Sequence, residues 1–330
     1  MTSHERDPAP PGWRAAVDAG DLDELLRWVD RLADAGAWPE LEALAAAARA
    51  AHERGRQLWP AATHAHHRLA LEAPAPAAVR ALDGDDRFGP GPLTEVIADR
   101  HTLGELVPHL RPGPAATLVV HERALRGDDP ADPGPVADLV VDVFDIPAEQ
   151  AAWEPAWPVA TYDTHGVDAP RPDRPAGSAT PVTTRRGERV DDPDTVEALV
   201  GAVRHWVTDS NGRAEAVVVA GGVVDAVGAL GPRRVRLVEA DPATALAHLA
   251  WAAASGGAHG RRRGAAWGRF EAWWVAAAVT DTAWPPDPAE LGAAVARARW
   301  WLWDADEPDT GWSLRLAGEL PGEGLAWAFA

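Results

Sequence analysis

The residues with the clearest chemical potential lie between Ser255 and Trp274, which reads Ser-Gly-Gly-Ala-His-Gly-Arg-Arg-Arg-Gly-Ala-Ala-Trp-Gly-Arg-Phe-Glu-Ala-Trp-Trp. A glycine-flanked basic loop running into an apolar helix suits anion capture. Free backbone N–H groups and the positive end of the helix dipole add to the guanidinium charge there. Gly256, Gly257, Gly260 and Gly264 would let amides approach an anion, with His259, Arg261, Arg262, Arg263 and Arg269 as the charged donors to a phosphate or carboxylate. The spacing differs from the nucleotide-binding loop, which ends in Gly-Lys-Ser/Thr, and from the dinucleotide fingerprint, which needs a preceding strand. The competing reading pairs Arg261–Arg263 with some of the 50 acidic side chains of the chain.

Other residues of catalytic or ligating type lack partners at the required spacing. His64 and His67 would share a helix face, with His52 on the preceding helix, but no acid or cysteine stands at fixed spacing. A solvent-facing stripe is the expectation, with no metal and no cofactor. Asp304–Gly311 lacks the turn glycine and the terminal bidentate acid of a calcium loop. His121-Glu122 has no second histidine four residues on, so it is not a zinc-protease helix. Tyr162-Asp-Thr-His165 offers acid–base types with no assignable nucleophile. Neither Trp273-Trp274 nor Trp300-Trp301 can turn both rings inward on one helix, so Trp273 and Trp300 are expected to reach a second surface, an interface.

The whole chain narrows the classes. It has 330 residues, no cysteine and a formal charge of −19, so disulfides, thiolate metal sites and a broad nucleic-acid footprint are excluded. All 31 basic residues are arginine, a bias of composition rather than a sign of bidentate recognition. Of the 17 tryptophans, 11 lie at or after Trp206. The N-terminus lacks the basic start and apolar run of a secretory signal, and no apolar run spans a bilayer, so a cytoplasmic protein without membrane contact is expected.

The elements that must position these residues follow from caps and periodicity. Residues 1–12 are expected to be a disordered tail. Asp21-Leu-Asp-Glu24 has capping-box spacing before Leu22, Leu25, Val29 and Leu32, and Pro39 suits the first turn of the next helix. A third helix covers about Gln57–Glu72, and shorter pieces lie near Leu93–Arg100, Leu103–Leu110 and Ala115–Arg126. Residues 13–126 therefore read as a helical domain, a bundle or a HEAT-like stack. Residues 127–193 read as a Pro/Asp-rich linker and crossing segment laid over the surface. Residues 194–330 read as a Trp-rich α+β domain. Within it a capped helix begins at Asp194, three strands (Ala214–Ala220, Val223–Leu230, Arg233–Glu239) form a meander, helices follow Asp241-Pro242 and Ala265, and a long last helix from Asp287 carries Leu291 through Leu302. The fold class is mostly α, with a small antiparallel sheet in a helical C-terminal domain.

Several phrases resemble those of an uncharacterised, Trp-rich acidic family of high-GC actinobacteria. They are Ser210-Asn-Gly-Arg-Ala-Glu-Ala-Val217, Ala253–Gly264, Gly268-Arg-Phe-Glu-Ala-Trp-Trp274, Gly311-Trp-Ser-Leu-Arg-Leu316, His101–Leu110 and Val120–Gly127. The resemblance covers most of the chain and carries no catalytic residue onto it. The favoured reading is a non-catalytic binding or interaction protein with the Gly/Arg loop and indoles as contact surface, its partner a protein or a small phosphorylated or anionic ligand. The alternatives are an enzyme acting on a phosphorylated or nucleotide-like substrate at the same loop, and a structural or assembly subunit.

Overall fold

The computed structural model describes residues 12–84, 89–128, 136–305 and 312–330. The expected tail and the acidic run Asp304–Gly311 therefore fall almost wholly outside the described residues, as does part of the expected linker. The described chain is α+β and divides into two compact units, one of residues 1–111 with 162–166 and one of residues 112–161 with 167–330. The 13–126 stretch read as one helical domain is split between them at 111/112.

The first unit is helical. It holds α1 (Gly12–Ala19), α2 (Leu22–Asp34), α3 (Trp38–Glu53), α4 (Trp59–Glu72), α5 (Ala75–Arg80), α6 (Leu93–Arg100) and α7 (Leu103–Leu106). Asp21 caps α2 by accepting from Glu24 N–H at 3.0 Å, and prolines occupy the first turns of α3 and α4. Leu25, Val29, Leu41, Leu44, Leu58 and Leu69 fill its core. Buried Arg68 of α4 gathers Asp30, Asp34 and Glu72.

The second unit opens with α8 (Pro114–Leu125), and a hairpin of β1 (Thr161–Asp163) and β2 (Gly166–Asp168) marks the chain's passage between units. There follow β3 (Thr180–Thr183), β4 (Glu188–Arg189), α9 (Pro193–Gly201), α10 (Arg204–Thr208), β5 (Ala216–Ala220), α11 (Val223–Ala229), β6 (Arg234–Ala240), α12 (Pro242–Ala254), α13 (Ala265–Val279), α14 (Pro288–Arg297), β7 (Arg299–Ala305), β8 (Leu316–Leu320) and β9 (Leu325–Phe329). Seven strands form one antiparallel sheet in the order β3-β6-β7-β8-β9-β5-β4.

Both faces of this sheet are covered. Val218, Trp300, Leu302, Leu316, Trp327 and Phe329 face a core shared with α9, α12, α13 and α14, whereas Val217, Val219, Trp301, Trp303, Ala326 and Ala328 face α11. The crossing segment is not only laid over the surface, because it supplies the two edge strands β3 and β4. Two further expectations are corrected. Val223–Ala229 is a helix rather than a strand: Asp225 accepts from Gly222 N–H at 3.1 Å, and Val223, Ala226 and Val227 form one buried helical face. The helix capped by Asp287 stops at Arg297, and Arg299–Ala305 becomes a central strand paired on both sides.

Candidate functional site

The loop before α13 is organised by its own chain. Gly260 N–H donates to Gly256 O at 2.9 Å, and a Cβ on Gly256 would stand 2.1 Å from the Gly260 carbonyl carbon. These glycines are required by the loop's closure upon itself. Gly257 (φ +68) turns against Trp206, whose Nε1 donates to Ser255 Oγ at 2.9 Å. His259 and Arg261 are exposed and Arg262 is half-buried.

Further donors expected for an anion are used inside the protein. The Arg263 guanidinium donates to Glu271 at 3.0 Å and lies 4.6 Å from the centre of the Trp267 ring. The Ala266 amide, in the first turn of α13, donates to Glu122 Oε1 at 2.8 Å, so a carboxylate of α8 already holds a place a bound anion would take. Arg269 is fully buried and bidentate on Glu154 at 2.7 and 2.8 Å, with its other donors on Pro147 O and Glu149 O. Arg269 does not face an anion site, a correction whose cause is the 3.6-residue period of α13, which turns it into the core, while Arg263 stands on Glu271. His121 lies 3.4 Å from Arg269, and burial, aided by that charge, pulls its pKa down to about 3.

The expected interface residues are also corrected. Trp273 is buried with its Nε1 donating to Glu154 at 3.1 Å, and Trp300 is buried with its Nε1 on Val295 O. Trp300 and Trp301 lie on a strand, so they point to opposite faces of a sheet covered on both sides. The exposed member of the helical pair is Trp274, at 38%.

The histidines of α4 are not one solvent-facing stripe. His64 pairs with Asp30 at 2.8 Å, while His66 and His67 are buried and His67 meets Asp163 O. Among the described residues no cluster of three ligating side chains could hold a metal. Asp163 caps its own turn by accepting from His165 and Gly166 N–H, which holds its carboxyl below the usual range, and Tyr162 OH donates to buried Glu95 at 2.6 Å. These contacts account for Tyr162 and Asp163 structurally.

A different part of the second unit forms a concave site. A groove of about 930 Å³ runs between α9–α10 and α13, floored by β5, β8 and β9. Asp191 and Asp194 before and at the start of α9, Asp281 after α13 and Glu323 in the β8–β9 turn line it. All four are exposed, and none of their side-chain carboxylates has a hydrogen-bond or ion-pair partner among the described residues. The C-terminal turn of α13 ends here, adding the negative pole of its dipole. Trp274 and Trp284 form a wall, edge to face with centroids 4.8 Å apart. Toward α10 the basic side chains have partners, Arg204 with Glu197 at 3.6 Å, His205 with Asp209 at 2.5 Å and Arg263 with Glu271. The His205 contact, then Thr208, holds the Asp209 carboxyl below its usual range.

A family of unknown function (DUF6183) matches residues 23–323. The chain belongs to that family. No curated protein and no solved structure matches it. No helix among the described residues is long and apolar enough to cross a membrane. Sequence reasoning missed the groove because its acids come from three separate segments, each of which reads as an ordinary cap or turn. The one available signal was the second ring of the Trp273-Trp274 pair.

Proposed function

We propose that the protein is a non-catalytic binding protein whose second unit takes a cationic ligand in the groove between α9 and α13, with the helical first unit as scaffold. The observation that carries this reading is that Asp191, Asp194, Asp281 and Glu323 line one cavity walled by Trp274 and Trp284. Its volume is that of a small-ligand site. Indole faces attract cations, and carboxylates left unpaired at a cavity rim favour an incoming positive charge.

The test is titration of the full chain with spermidine followed by intrinsic tryptophan fluorescence. Saturable quenching is expected, and Trp274→Ala and the Asp191→Asn/Asp194→Asn pair each weaken it by about tenfold, the value of one lost cation–π or ionic contact. The absence of a saturable spermidine signal overturns this reading.

A further inference from the structure

We infer that residues 169–175 are an exchangeable internal ligand, and that the face of α12 beneath them recognises a proline- and arginine-rich segment of a partner protein. This surface is separate from the groove between α9 and α13. The internal segment reads Ala169-Pro-Arg-Pro-Asp-Arg-Pro175. Every residue of it except Asp173 is a proline or stands before one, which sets φ at about −65° or disfavours the helical region. The chain there is left extended, outside any helix or strand. Polyproline II repeats every three residues, and Ala169, Pro172 and Pro175 are half-buried where Pro170, Asp173 and Arg174 are exposed. One face of the segment is therefore turned to the protein.

The receiving surface has the parts that read such a helix. His248 and Trp251 stand three residues apart on α12 and share a face. Trp251 Nε1 donates to Ala169 O at 3.4 Å and His248 Nε2 to Asp173 O at 3.2 Å, the carbonyl fixing the proton on that nitrogen. The Arg171 guanidinium lies 5.1 Å from the centre of the Trp251 ring and donates to Ser313 O at 2.9 Å. Arg174 is bidentate on Asp304 at 2.7 and 3.2 Å. Trp312, stacked on Trp251 at 5.0 Å, extends the aromatic platform. Aromatic rings and ring N–H donors on backbone carbonyls are how a preformed polyproline helix is held by another protein, and the carboxylate adds a seat for arginine.

The internal segment is held by contacts that are weak singly. The Arg174–Asp304 pair has its arginine 49% exposed, and residues 169–179 join no strand ladder. Such a segment opens far more cheaply than the core beneath it. Charge selects what replaces it. The chain carries a formal charge of −19, so a second copy brings repulsion along with its identical segment, whereas an arginine-bearing segment of another protein is attracted.

The experiment follows fluorescence anisotropy of labelled Ala-Pro-Arg-Pro-Asp-Arg-Pro titrated with the full chain. A tethered segment competes at high effective concentration, so weakening it strengthens binding of the free one. Arg171→Ala/Arg174→Ala is expected to bind the peptide about tenfold tighter than wild type, and Arg174→Ala alone about threefold tighter. With the double variant, a peptide carrying Gly for every Pro, of unchanged charge, should bind about tenfold weaker, and adding Asp304→Asn should weaken the original peptide about fivefold. Absence of binding, equal affinity of wild type and both variants, or equal binding of the Gly peptide overturns the inference. An Asp304→Asn protein that holds the peptide undiminished does the same. A chain that runs as a dimer which the peptide dissociates assigns the surface to a second copy and overturns the choice of partner. Should the double variant lose its native fold, the comparison of Arg174→Ala with wild type decides.

Discussion

Removing the Glu154 carboxylate should be the most damaging single polar change in the second unit. Five donors converge on it: Arg269 Nε and a terminal nitrogen at 2.7 and 2.8 Å, Trp157 and Trp273 Nε1 at 2.9 and 3.1 Å, and Ala151 N–H at 2.7 Å. Both Arg269 and Glu154 are withdrawn from water, with side-chain exposures of 0% and 1%. Breaking such a pair by deleting one partner costs about 3–5 kcal/mol, because the survivor is left as an uncompensated buried charge. Glu154→Gln tests the charge with little change of volume: the amide keeps one acceptor oxygen and turns an NH2 toward donors. Glu154→Ala adds about 1–3 kcal/mol for each buried indole N–H left without an acceptor. The assay is urea unfolding followed by tryptophan fluorescence, in which Trp157 and Trp273 report on the clamp itself. Glu154→Gln and Arg269→Leu should each lower the midpoint substantially, and Glu154→Leu/Arg269→Leu should cost less than the sum of the single changes, as coupled partners do. Losses below about 1 kcal/mol for both single variants, or additive losses in the double variant, would refute the clamp as the tie between the 147–157 segment and α13.

Stability should fall on mild acidification, because His121 and His248 have pKa values depressed by burial from 6.5 to about 3 and about 4. Below pH 6.5 the unfolded chain takes up these protons and the folded one does not, so unfolding free energy declines by up to about 1.4 kcal/mol per pH unit per histidine until the folded pKa is reached. His121→Gln should flatten the slope between pH 6 and 4, and an unchanged slope would count against the assignment. Gly228→Ala should lower the melting temperature, costing about 1–3 kcal/mol, since its Cβ would stand 2.0 Å from the backbone oxygen of Arg185. Trp301→Ala should cost about 3–5 kcal/mol and Trp274→Ala under about 1 kcal/mol, although the two rings look equivalent as second members of Trp pairs. Equal losses in thermal unfolding would contradict the burial of Trp301 against α11.

Much of the helical structure was legible locally. Asp21, Asp241 and Asp287 each accept from an amide two or three residues on, and the helices after them begin where those caps stand. The span of α13 was readable from its glycine-to-apolar transition at Gly264. The second sheet face was not readable. Alternation marks a strand only when one face is wet, and here α11 covers one face while α9, α12 and α13 cover the other. Arg299–Ala305 therefore looked like the end of a helix, and Val223–Ala229, flanked by glycines and rich in valine, looked like a strand.

The candidate site was less legible than the fold. The arginine loop was visible because its residues are contiguous, yet one cation and one amide of the stretch are held by distant carboxylates. Glu154 is 115 positions from Arg269 and Glu122 is 144 from Ala266. The sequence by itself determined where helices start, that the core holds without cysteine, and that excess negative charge must collect somewhere on the surface. Only the tertiary structure decided which carboxylates neutralise Arg263 and Arg269 and which remain unpaired around Trp274 and Trp284. Caps act over three or four residues, whereas charge pairing and groove formation depend on segments that chain folding brings together from far apart.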